Sequence, residues 1–125
     1  MMAAAEAAVR CEPENTDFRY FAATGAAYAV IDAAHHQDRE RMQRMGERCF
    51  EHLEAILATD PDDHRARCLL VQMNVNLAPD LGLEVTGTEE HVALLEKQDP
   101  ILGAKARSFL VGEENAAPVW NDLLA

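Results

Sequence analysis

Three times along this chain an apolar helical stretch runs into an acidic residue followed by proline: Glu12-Pro13, Asp60-Pro61 and Asp99-Pro100. Proline disfavours the α conformation in the residue before it, so each of these dipeptides ends a helix. The sharpest case is the run from Cys49 to Asp63. There Cys49, Leu53, Ile56 and Leu57 recur at helical spacing, Asp60-Pro61 stops the helix, and Asp62 and Asp63 stand where a following helix gains from a cap and from negative charge. The spacing of the three endings is irregular, yet it is within reach of a repeat of helix pairs with variable loops.

Composition agrees with an all-α chain. Apolar residues make up 49% of the sequence but aromatics only 6%, with alanine filling much of the difference, which suits close-packed helices better than strands. At 125 residues the expectation is one domain, 1–125, with a continuous core. Eleven Lys and Arg stand against 22 Asp and Glu, a formal net charge of -11, so the field of the molecule repels nucleic-acid phosphates and anionic membranes. The three cysteines, Cys11, Cys49 and Cys68, are odd in number and form no C-x-x-C pair; they are expected as buried reduced thiols. The N-terminus lacks the basic segment and apolar run of a secretory signal, and no stretch approaches the ~20 apolar residues of a membrane span. A cytoplasmic protein is the default expectation, and a chain trimmed of a leader fits equally.

In chain order the pattern predicts about seven helices. An alanine-rich packing helix, 3–11, comes first, with Ala5, Ala8 and Val9 on one face. Asn15, Thr16 or Asp17 then caps a helix from Phe18 to His35 that carries Phe21, Thr24, Gly25 and Tyr28 at helical spacing and is dominated by small residues, which admit a close neighbour. A polar turn at 35–38 precedes the most periodic helix, 38–58, with Met42, Met45, Cys49, Leu53, Ile56 and Leu57 on its buried face and charges on the other. A fourth helix carries Ala66, Leu69, Leu70, Met73 and Leu77. Residues 79–87, with a proline and two glycines, read as a loop. Helices from Thr88 to Gln98 and from Ile101 to Val111 follow, and a last one, 114–124, would bury Val119, Trp120 and Leu123.

Together these hairpins resemble the tetratricopeptide repeat, a helix pair with a period of about 34 residues. Phe21, Gly25 and Tyr28 match the aromatic, small and Tyr positions of the family's first helix, and Cys49, Leu53, Ile56 and Pro61 match those of its second. The units would span 18–61, 64–100 and 101–125, the second lacking the aromatic and the glycine. What the resemblance implies is an α-solenoid of stacked antiparallel hairpins with a concave groove, and the polar groove positions fall on Arg19, Arg65, Gln72, Asn76 and Arg107, beside Ala22, Ala26, Ala29, Cys68 and Val75. The carboxylate-clamping members of the family carry Lys and Asn where this chain has Ala22 and Ala26, so that activity is not implied.

Chemistry-bearing motifs are scarce. His35, His36 and Glu40, with Glu47, Glu51 and His52 further on, are the one dense set of metal-ligand types, but no Glu-x-x-His occurs and Glu51 and His52 point to different sides. No nucleophile elbow accompanies any cysteine, and no glycine-rich phosphate loop is present, so no cofactor is expected. The resemblance implies a non-catalytic scaffold that binds another protein or a peptide, acidic where it meets the groove arginines. The alternatives are an oligomerisation module that pairs through its terminal helices and a small helical metal-binding protein or enzyme built on His35, His36 and Glu40.

Overall fold

The computed structural model describes residues 2–111, and among them every regular element is helical. Six α-helices are formed: α1 (Met2–Cys11), α2 (Thr16–His35), α3 (Arg39–Thr59), α4 (His64–Asn76), α5 (Thr88–Gln98) and α6 (Pro100–Val111). A 3-10 helix, Ala78–Leu81, overlaps the start of the segment expected to be loop. Its Pro79 tolerates the first turn, and Gly82 closes it at φ 71, a left-handed conformation that glycine adopts without strain. The helix expected at 114–124, with Val119, Trp120 and Leu123, lies outside the described residues. None of the described helices is long and apolar enough to cross a membrane.

The chain divides into two compact units, Met1–Asp63 and His64–Ala125. In the first unit α2 packs against both α1 and α3. Asn15 caps α2 by accepting from the Phe18 amide at 3.1 Å. The corner between α2 and α3 takes only 36–38. The Asp38 amide donates to Ala33 O and the Gln37 amide to Ala34 O, with Gln37 at φ 55, which is a Schellman ending built without glycine. Asp38 then caps α3 through the Arg41 amide at 3.0 Å, so one residue ends one helix and starts the next. The buried face of α2 consists of small residues, Ala22, Ala23, Gly25, Ala26, Ala27, Ala33 and Ala34 with Val30. The expected close approach is met, and it turns Phe21 and Tyr28, the two aromatics that matched the repeat, outward. On α3 the predicted stripe is buried at Met42, Cys49, Leu53 and Ile56, and Phe50 and His52 join it.

In the second unit α4, α5 and α6 all touch one another. Cys68 and Val71 of α4, Val92 and Leu95 of α5, and Ala106 and Phe109 of α6 form its core, with Val75, Leu102 and Leu110 packed at the margin. Asp99-Pro100 shows what the acidic-proline punctuation does here. The Asp99 amide still donates to Leu95 O at 2.7 Å, while its carboxylate accepts from the Leu102 amide at 3.3 Å. Pro100 occupies the first position of α6, where its missing N–H is no loss. α6 thus starts one residue earlier than the pattern suggested.

Candidate functional site

The densest arrangement of polar side chains in the first unit was not anticipated from the sequence. It is centred on His52, whose side chain is 1% exposed on the apolar face of α3. The Arg19 guanidinium of α2 lies 3.3 Å from His52 Nδ1. A guanidinium can only donate, so Nδ1 accepts and the ring carries its proton on Nε2. That N–H donates to Glu6 Oε1 at 2.9 Å. Arg48, one turn before His52, donates to the same carboxylate through both arms of its fork, Nε to Oε1 at 3.1 Å and NH2 to Oε2 at 2.6 Å. Glu6, 13% exposed, is held down to a pKa of about 2, chiefly by the Arg48 hydrogen bonds; burial opposes them, and His52 adds a further lowering.

Around this centre the partners are fixed from behind. Arg48 NH1 donates to Glu51 at 2.9 Å, and Arg19 Nε donates to the Pro13 carbonyl at 2.7 Å. One signal for the network was available: His52 is three residues after Cys49 and four before Ile56, which places it on the buried stripe. Which acid meets it, 46 residues away on α1, has no local signature.

The positions proposed for a peptide groove separate into two kinds. Arg19 is engaged by His52 and Pro13, and Ala22 and Ala26 have no exposed surface, so this face of α2 cannot line an open groove. Arg107 is likewise engaged, donating to Glu89 at 2.8 Å and to Glu96 at 2.7 Å, and these two carboxylates hold its pKa above the ordinary arginine value. Cys68 is buried and its thiol faces Leu102 O at 3.9 Å. Arg65, Gln72 and Asn76 do share one face of α4, seven and four residues apart. Arg19 and Arg107, expected as open groove positions, thus each already have partners within the chain.

The metal reading gains nothing. His35, His36 and Glu40 are exposed, His36 Nδ1 donates to the Asp32 carbonyl at 2.8 Å, and no group of three or more His, Cys, Asp or Glu among the described residues is placed to hold an ion. Cys49 and Cys68 are buried as expected, and burial pushes the Cys49 thiol up to about 12 and that of Cys68 upward too, so neither is primed as a nucleophile. Cys11 is exposed, against the expectation that all three would be buried. In the second unit Arg67 NH1 donates to His91 Nδ1 at 2.6 Å, and burial followed by the Arg67 charge lowers the His91 pKa.

What the surface of the first unit does offer is an outward stripe on α2. Phe21 is 63% exposed and Tyr28 61%. Seven residues apart, they lie on one face, with the exposed Asp17 four residues before and the exposed Asp32 four after. The turn that leads into α2 adds Glu12 and Glu14, which with Pro13 and Asn15 line a shallow, open depression. No protein-family model, curated protein or solved structure matches this chain.

Proposed function

We propose that this chain is a non-catalytic helical module that binds another protein or a peptide, and that it does so through the outward face of α2. The observation that carries the reading is the pair Phe21 and Tyr28 on one helical face with acids at both ends. Aromatic side chains supply large contact area at small entropic loss, and they dominate the energetics of protein interfaces. A small-residue inner face with an aromatic outer one reverses the arrangement that stabilises a monomer, since moving the rings inward would bury more apolar area. The tetratricopeptide-like stack belongs to this proposal as well. Its support is the contact of each helix with its neighbour in sequence within each unit, together with the acidic-proline endings.

The partner segment best matched to this face presents an apolar anchor to Phe21 and Tyr28. The test is affinity capture with the full chain and with Phe21→Ser/Tyr28→Ser, accompanied by light scattering of both. Loss of specific captured species in the double variant, with its helix content unchanged, is the expected result. Identical capture by the two proteins removes the α2 face from the function. A concentration-dependent dimer that the double variant abolishes makes a second copy the occupant.

A further inference from the structure

The Glu6 network has the form of an anion receptor that the chain fills with its own residue. All of the donors stand on the α2–α3 hairpin: the Arg48 fork, the His52 Nε2–H, and Arg19, which fixes the ring tautomer that points Nε2–H at the carboxylate. The acceptor alone comes from α1. A planar fork with a second N–H converging on two oxygens matches a carboxylate closely. The receptor is also braced without Glu6, because Glu51 holds the far side of Arg48 and Arg19 is anchored on Pro13 O. α1 otherwise rests on α2 through small side chains. It is a run of alanines whose buried apolar side chain, among those described, is Val9; Ala5, Ala7 and Ala8 are half-buried and Ala3, Ala4, Arg10 and Cys11 are exposed.

We infer that the α2–α3 hairpin carries a carboxylate-binding site, that α1 is its internal occupant, and that an acidic, small-residue helical segment of a partner protein takes the place of Glu6. This site is separate from the Phe21 and Tyr28 face and does not depend on it. Occupancy by α1 keeps the site closed to weak ligands. A partner helix displaces α1 by offering the same carboxylate with more apolar contact than Val9 gives.

The experiment uses the full chain with Glu6→Ala. Its thermal midpoint is followed as formate replaces chloride at constant ionic strength. The expected result is a midpoint below that of the wild type that rises saturably with formate, no such rise in the wild type, and none in Glu6→Ala/Arg48→Ala. In a second arm a fluorescent peptide with the sequence of residues 2–11 is titrated into each protein. It should bind Glu6→Ala at least ten-fold more tightly than wild type, and the same peptide with glutamine for its glutamate should lose that gain. Formate acting no differently from chloride overturns the receptor. Formate rescue without glutamate-dependent peptide binding overturns the displacement by a helical segment. If Glu6→Ala does not fold, Glu6→Ser, which likewise leaves the carboxylate position open, is carried through the same two arms with the same criteria.

Discussion

Gly103 of α6 lies against the backbone of Glu96 in α5 so closely that a side chain there has no room. A Cβ built on Gly103 would stand 2.5 Å from Glu96 N and 2.9 Å from Leu95 C, as well as against Glu96 Cα. Both neighbours are backbone, and neither can swing away. Replacement of a helical glycine by alanine ordinarily gains about 1 kcal/mol from helix propensity. Here the overlap reverses the sign. Gly103→Ala should destabilise the protein by about 2–3 kcal/mol by forcing α5 and α6 apart. Urea unfolding measures it, and a stabilised variant would contradict the close approach.

Much of the helical framework was legible because its signals are local. The α3 stripe of Met42, Cys49, Leu53 and Ile56 has the helical period, and Asp60 and Asp99 end their helices before proline. The inner face of α2 was harder to read. Alanine and glycine do not announce a buried side by size, whereas Phe21 and Tyr28 stand out as matches to the repeat and Ala22 and Ala26 as groove lining. The structure buries Ala22 and Ala26 and leaves Phe21 and Tyr28 exposed, since close packing selects the smallest residues. The pairings of Glu6 with His52 and of Arg107 with Glu89 depend on which helices meet, and residue type does not encode that.

Gln37 is the one described non-glycine residue with positive φ, at 55°, and it ends α2 in place of the glycine usual at that position. Relief of the Cβ strain should exceed the added freedom of the unfolded chain. Gln37→Gly is expected to raise stability by about 0.5–1 kcal/mol, read from the shift in the urea midpoint with no change in slope.

The three thiols should separate in a titration with a chromogenic disulfide reagent. Cys11 is exposed, whereas Cys49 and Cys68 are buried with raised pKa values. One thiol per chain should react quickly in the native protein at pH 8, and the other two only as fast as the protein opens. In Cys11→Ser the fast phase should vanish. Two fast thiols in the native state would show that a buried cysteine is accessible.

The Glu6 ion pair predicts the acid limb of the stability curve. Its carboxylate titrates at about 2 in the folded protein against an ordinary value of 4.5, chiefly because of Arg48. A depressed folded value means that folding favours the charged form, so the contribution is fully present above about pH 4.5 and is lost as the pH falls towards 2. Arg48 is 42% exposed and water screens part of the attraction, which leaves a contribution on the order of 2 kcal/mol at neutral pH. Glu6→Gln, which removes the charge and keeps the shape, should be less stable than wild type by that amount at pH 7. The gap should narrow below pH 4.5 and nearly close at pH 2. A gap that stays constant across this range would assign the loss to packing of α1, and the bidentate contact with Arg48 would then hold no stabilising charge.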